Sequence, residues 1–454
     1  VSLAVATDLD VRAAYARDAS GLERVPEGVA RPASAEEVAA LVRESAALGR
    51  AVTAAGAQTS TTGASISDRG LLLSLRALDR VVDLDTARGV VRAQAGVRLG
   101  DLKRACAAEG WLLPADPTSE EDCTVGGAIA CNASGARSLQ YGPIRGHVQA
   151  LTVVMADGRA ETVRRPRLEK NTVGYLAVQD PVDWFVGSEG TLGIVTEAEF
   201  RLLPLPPVVT GFAFPFAREA DALAFVVAAR EARTVTARCL EYCDAEATAI
   251  VARATADAGW QAARAIVYAE EAGPDAPPLE AWLALAERHG VMDADIKVYE
   301  SEAAFREARA WRHAVPATMH ERAAPFRAHG GRRVSTDWAV PYPALARVLG
   351  QARGFADQAG IAPAVTFGHA GNGHPHQNWV GESPEHVRRI EQVVEATLKL
   401  VLAEGGTVAA EHGVGKLKAR WAGLQLGSRQ LGLLRAIKRE LDPQGILAPG
   451  NLVA

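Results

Sequence analysis

Lysine is scarce in this chain: seven lysines stand against forty-two arginines in 454 residues. The skew, with abundant alanine, is that of a GC-rich coding sequence, and it lowers the information in any single arginine. Cysteine is scarce too. Cys106, Cys123, Cys131, Cys239 and Cys243 form no paired framework. Cys239-Leu-Glu-Tyr-Cys243 lacks the second half that a zinc ribbon or iron–sulfur cluster needs. These cysteines read as buried free thiols of a reducing compartment. No apolar run approaches the roughly 18 residues of a membrane span, and no signal-peptide pattern follows Val1. The expected location is therefore cytoplasmic, at most peripheral to the inner membrane. Neither G-x-G-x-x-G nor G-x₄-G-K-[ST] occurs, which excludes the Rossmann and P-loop readings. A net charge of −5 and a pI near 6.1 give no basis for a nucleic-acid partner.

A hydrophobic fraction of 48% over this length supports two or three domains of roughly 100–200 residues each. Helix and strand signals alternate from about residue 30. Ser34-Ala-Glu-Glu37 is a capping box ahead of apolar Val38, Leu41, Val42 and Leu48, and Gly49 stops that helix. Strands are expected at 51–57, 71–75, 81–84 and 90–95, then a helix over 99–109. This mixture predicts an α+β fold and not a regular βαβ rhythm. Pro204-Leu-Pro-Pro207 marks a boundary. Beyond it the spacing predicts helices over 218–232, 277–289, 302–313 and 385–404, with strands at 234–241, 265–269, 334–340 and 363–367. The expected organisation is a cofactor domain over 1–206 and a substrate or cap domain over 207–420 carrying a metal site. A C-terminal segment, 421–454, is expected to return to the first domain.

Three glycine-rich segments share one chemistry. Gly56–Gly63 places small residues and hydroxyls at the end of a strand. Asp122–Gly135, with Gly126-Gly127 inside it, follows Pro114-Ala-Asp-Pro-Thr118. Gly187-Ser-Glu-Gly-Thr-Leu-Gly193 precedes another strand. Glycine lets the backbone approach a pyrophosphate closely, and successive amides in such turns act as anion-binding nests. Three such loops in one half of the chain point to a large phosphate-bearing cofactor.

Five of the ten histidines fall between His369 and His412. Gly368-His369-Ala370-Gly371-Asn372-Gly373-His374-Pro375-His376 and Ala410-Glu411-His412-Gly413-Val414-Gly415 set imidazoles and a carboxylate on tight turns. Two imidazoles with a glutamate are a known catalytic zinc set that leaves positions open to substrate. A cation there acts as a Lewis acid. A remaining imidazole, with an unperturbed pKa near ~6.5, can take a hydroxyl proton. The part played by His374 stays open.

Residues 15–206 resemble, in order and spacing, the FAD-binding domain of the vanillyl-alcohol oxidase superfamily. The resemblance is carried by Tyr15-Ala-Arg-Asp18 through Gly63, by Gly126-Gly127, Asn132, Gly135 and Tyr141-Gly142, by Lys170-Asn-Thr-Val-Gly-Tyr175, and by Gly187–Ile194. It implies that domain's two-lobed fold. It also implies FAD contacts from Gly56, Ala57, Gln58, Thr59, Ser60 and Gly63, from Pro117 and Thr118, from Gly126, Gly127, Asn132 and Gly135, and from Glu189, Gly190, Gly193 and Ile194. Some members tether FAD through a histidine in the first loop. This chain has no histidine before His147, so FAD is expected to be non-covalent.

The His-x-Gly-x-Gly-x-x-His pattern, followed by Glu-His-Gly-Val-Gly, is similar to the FAD-linked oxidase C-terminal domain of D-lactate, D-2-hydroxyglutarate and glycolate dehydrogenases. Leu441–Gly450 resembles that domain's last turn beside the flavin. This resemblance implies an α+β cap, with His369, His376 and Glu411 as ligands of a divalent metal, zinc or manganese, and His412 as the base. Arg312, in Trp311-Arg-His-Ala-Val-Pro316, matches an arginine that clamps the substrate carboxylate, a task suited to a planar, permanently charged guanidinium. The chain departs from the family in three places. Gly371-Asn372-Gly373-His374 stands where the family has Gly-Asp-Gly-Asn. A substrate-side lysine before Asp337-Trp-Ala-Val-Pro341 is missing, with Arg332 or Arg333 as substitutes. The usual Asn-Pro-Gly-Lys ending reads Ala448-Pro449-Gly450-Asn451.

The activity so implied is oxidation of a D-2-hydroxy acid, D-lactate first, with D-2-hydroxyglutarate and glycolate as alternatives, and hydride transfer to flavin N5. The partners implied are the small acid and an electron acceptor: a quinone, a cytochrome or an electron-transfer flavoprotein. A homodimer and a peripheral membrane contact are compatible with it. The phrase His412-Gly-Val-Gly-Lys-Leu-Lys-Ala-Arg-Trp421 also resembles alkylglycerone-phosphate synthase, a flavoenzyme without net redox that lacks the His-x-Gly-x-Gly-x-x-His segment.

Overall fold

The computed structural model describes residues 4–175, 179–255, 259–292 and 296–452. Two units divide the chain. The first takes Val1–Gly135, Gly142–Leu205 and Glu411–Ala454; the second takes Ala136–Tyr141 and Pro206–Ala410. The chain thus re-enters the first unit at Glu411, earlier than the 421 drawn from sequence, and the short stretch 136–141 belongs to the second.

In the first unit, strands Gly28–Ala30, Leu71–Ser74 and Val52–Ala55 pair in parallel, with Val5–Ala6 antiparallel at the edge. Helix Ala35–Ala47 buries Val38, Leu41 and Val42 of the expected apolar stripe, whereas Leu48, its C-cap, is exposed. Its capping box forms with one shift. The Glu37 amide donates to Ser34 Oγ at 3.2 Å, while the Glu37 carboxylate accepts from the Ala33 amide at 2.7 Å. A second, antiparallel sheet runs in the order 81–85, 90–94, 194–201, 148–154, 160–164. The chain's end closes the first sheet: Leu447 bridges Val52 in parallel, and Ile446 and Leu447 join its core. Asp442 sets that approach by accepting from the amides of Ile446 (3.1 Å) and Leu447 (2.8 Å).

The second unit is one antiparallel seven-stranded sheet, ordered 297–299, 208–216, 265–273, 237–243, 365–369, 374–381, 332–335. Alternation sends the strand residues to two faces. One face carries Phe212 and Phe214 against Phe225 and Trp282, with ring centroids 5.0–6.2 Å apart. Each such buried side chain contributes roughly 1.5–3 kcal/mol. The other face packs Cys239, Cys243, Ile266 and Tyr268 under helices Ala245–Thr255 and Glu302–Ala323.

Two elements differ from the sequence expectation. The helix expected to stop near 313 continues to Ala323 through Pro316. Proline there cannot donate to the Arg312 carbonyl, yet Trp311, Val315 and Met319 bury on one side and hold the helix together. The strand expected over 334–340 is Arg332–Ser335. Beyond it the backbone turns away, and Asp337, Trp338 and Val340 are buried outside any regular strand. Among the described residues no helix is long and apolar enough to cross a membrane.

Candidate functional site

The glycine loops of the first unit are tied to one another. Gly56 lies against Thr124, and a Cβ at Gly56 would collide with the Thr124 hydroxyl. That hydroxyl caps the helix Val125–Ala130 by accepting from the Gly127 amide at 3.3 Å. The third loop docks on the same helix through Gly187 N to Ile129 O and Glu189 N to Ala130 O, both 2.9 Å. Gly135 packs on the backbone of Asp116, beside half-buried Pro117 and exposed Thr118. Gln58, Asn132 and Glu189, one in each loop, have positive φ of 58°, 51° and 53°. Left-handed backbone is uncommon for residues other than glycine, and clusters of it mark ligand clamps. Gly56, Ala57, Gln58, Thr59, Ser60, Gly126, Gly127, Asn132 and Gly190 remain half-exposed, as a cofactor cradle requires. Gly63, Gly135, Gly193 and Ile194 are buried.

Glu189 is a structural tie in this unit. Its carboxylate accepts from the amides of Val414 (2.5 Å) and Gly415 (2.8 Å). Burial raises its pKa, and those two amides pull it back only in part. Lys416 donates to Asn451 Oδ1 (2.7 Å) and to the Gly63 carbonyl (3.2 Å); burial lowers its pKa to about 8. Asn451 donates in turn to the carbonyls of Ala64 and Glu189. Glu411 and His412 sit in the same unit. Ser134 donates to Glu411 at 3.4 Å, and His412 Nε2 lies 3.4 Å from Glu411 Oε1.

The second unit gathers the other half of the predicted set. His369 ends one strand and His374 begins its antiparallel neighbour, with Gly373 at φ 66° completing the turn. His369 faces His374, and His376 faces Phe367, so all three imidazoles share one face of the sheet. Their ring centroids lie 4.6–5.4 Å apart. One ring nitrogen of each lies within 4.8 Å of the others, and all three residues are buried. The Glu241 carboxylate is 2.7 Å from His369 Nδ1, the carboxylate–imidazole support that orients ligating histidines. Asp337 Oδ1 is 3.0 Å from His374 Nε2. A cation fits this donor set of buried, mutually facing imidazoles backed by two carboxylates.

Arg312 lies over the same face. Its guanidinium stacks 4.8 Å from the Tyr268 ring centroid and lies 3.9 Å from Glu270. Glu270 also accepts from Arg137 Nε (3.0 Å), Arg238 Nε (2.7 Å) and Tyr268 Oη (2.8 Å). Burial opposes its charge, but the three guanidiniums outweigh it and hold the carboxyl well below its ordinary range. A β-bulge between Ala237 and Cys239 re-aims Arg238 at Glu270. Of the two substitutes for the missing lysine, Arg333 lies on the histidine face, donating to Asn378 at 2.8 Å. Arg332 pairs with Glu391.

Sequence reasoning did not single out Glu241, Glu270, Arg137 or Arg238. Their one-dimensional signal is weak: Arg137 and Glu270 are 133 residues apart, and Glu241 and His369 are 128 apart.

Residues 26–164 match the family described as FAD binding domain, and residues 205–452 match FAD linked oxidases, C-terminal domain. The chain is 30% identical over 393 residues to glycolate oxidase subunit GlcD of Bacillus subtilis, covering 84% of this chain and 79% of that protein. It is 31% identical over 377 residues to a D-lactate dehydrogenase of Archaeoglobus fulgidus, covering 82% and 79%. A D-2-hydroxyglutarate dehydrogenase of Xanthomonas citri pv. viticola is 30% identical over 445 residues, covering 94% and 89%. A solved structure of alkyldihydroxyacetonephosphate synthase shares the fold with a TM-score of 0.71 at 18% identity, covering 98% of this chain and 82% of that one.

Proposed function

The chain belongs to the FAD-linked oxidases, and from that premise we propose that it oxidises a D-2-hydroxy acid, D-lactate first, to the 2-oxo acid. The observation that carries the reading is the buried triad of facing imidazoles on the sheet face that the helix bearing Arg312 covers. The glycine loops of the first unit would hold FAD non-covalently. His369 and His376 would hold a divalent cation, with Glu411 assigned as a further ligand by the sequence resemblance. When bound, FAD supplies the acceptor for the C2 hydride and the cation supplies Lewis acidity.

The remaining work falls to the chain's own side chains. Arg312 binds the substrate carboxylate. Its charge is permanent, and although burial opposes that charge, Tyr268, Glu241 and Glu270 more than restore it. Glu241 fixes the ring of His369 and with it the position of the ligating nitrogen. His412, assigned as base by the resemblance, takes the hydroxyl proton as the C2 hydride leaves, so the acid loses two electrons and two hydrogens in one ordered event. An external acceptor (a quinone, a cytochrome or an electron-transfer flavoprotein) then removes the electrons.

Anaerobic flavin bleaching with paired D- and L-2-hydroxy acids, before and after chelation, tests this. D-acids should bleach the flavin, and chelation should stop them. Bleaching by L-acids alone, or bleaching indifferent to the chelator, would refute it.

A further inference from the structure

The geometry points to His374 as a third imidazole ligand of the cation site, with Asp337 balancing its charge. The site then selects a nitrogen-seeking borderline cation, such as zinc, cobalt(II) or ferrous iron, over magnesium or calcium. This inference rests on the metal reading above and goes beyond it by fixing the donor set.

His374 is 4% exposed, and its Nε2 is buried with no hydrogen-bond partner. Asp337 Oδ1 comes within 3.0 Å of that nitrogen but off the hydrogen-bonding direction. Buried imidazole nitrogens ordinarily find a partner; one left without costs about 1–3 kcal/mol. A cation among the three rings removes that cost. The hairpin is built to bring His374 there. Gly373 has φ 66°, and a Cβ on it would strike the Val340 carbonyl, so the turn closes tightly against 340. Val340 N donates to Gly373 O at 3.0 Å, which fixes the same contact from the other side.

Asp337 is held as firmly. It is 2% exposed, its carbonyl accepts from the Ala410 amide at 2.8 Å, and the preceding Thr336 amide donates to Gln377 O at 3.0 Å. A carboxylate oxygen of Asp337 and a ring nitrogen of His376 lie within 4.8 Å of each other, so its negative charge faces two of the three imidazoles. Three neutral nitrogens with a nearby carboxylate favour borderline cations; hard cations take oxygen donors instead.

The test counts nitrogens on the flavin-loaded protein. Copper(II) is exchanged into the site and its EPR superhyperfine pattern is recorded for the wild type and for His374→Asn, with zinc affinity measured by chelator competition. The wild type should show coupling to at least three nitrogens. His374→Asn should show one fewer and should bind zinc on the order of 100-fold more weakly, at or beyond the upper end of what loss of a supporting partner costs. Asp337→Asn should weaken zinc while leaving the nitrogen count unchanged. His374→Gln, closer in volume, repeats the count if the asparagine variant fails to retain flavin. Equal nitrogen counts and equal zinc affinity in wild type and variant would overturn the assignment of His374 and leave the metal reading standing. A wild type that binds no cation would overturn both.

Discussion

Glu270→Gln removes one charge from a buried cluster and leaves its shape. In the native chain two guanidiniums hydrogen-bond Glu270, at 2.7 and 3.0 Å, and a third lies at 3.9 Å. Glu270 is 1% exposed. A pair at about 4 Å interacts by about 4 kcal/mol at an effective dielectric near 20, and breaking a buried pair costs about 3–5 kcal/mol in practice because a charge is left without its counterion. The substitution should therefore cost the second unit about 3–5 kcal/mol at neutral pH. The pH dependence has a fixed sign. The folded pKa lies below the ordinary 4.5, so the stabilisation is complete above that value and fades as the pH falls through the folded pKa. The wild-type and Glu270→Gln curves should then converge in acid. Urea unfolding followed by the buried tryptophans Trp260, Trp282 and Trp311 measures this at several pH values. Arg238→Met added to Glu270→Gln should recover part of the loss, since it lowers the uncompensated charge. An unchanged urea midpoint at neutral pH would refute the reasoning.

Gly56→Ala should lower the flavin content of purified protein, because the new Cβ collides with the Thr124 cap; full flavin occupancy would contradict the cradle assigned to these loops. Lys416 gives the flavin-free protein a pH signature in alkali. Its folded pKa of about 8 lies below its ordinary 10.5, so the unfolded chain binds more protons between those values and stability rises with pH across that window. Lys416→Met should abolish the rise in urea midpoint, and a rise that persists would place its origin elsewhere.

Much of the fold was legible because local signals carried it. Ser34 and Glu37 announced a helix that begins at Ala35, and the helical spacing over 385–404 announced the long helix Pro384–Ala403. The histidine hairpin was legible in composition, since glycines bracket it, but sequence left His374 without a role. Its place became clear only when the antiparallel register set it opposite His369. The helix beyond His313 was hidden by Pro316, a breaker that tertiary burial of Val315 and Met319 overrides. The cluster around Glu270 was hidden for another reason. It depends on a bulge and on partners brought together from distant strands, and pairwise spacing encodes neither.

The interleaving of the first unit sets an order in time. Its glycine loops are made early, yet the carboxylate of Glu189 waits for the amides of Val414 and Gly415, and the edge of Val52 waits for Leu447. During synthesis the second unit is completed while the first is still missing its closing strap. The flavin cradle is therefore complete only once the segment from Val414 to Asn451 has been made, after the whole of the second unit.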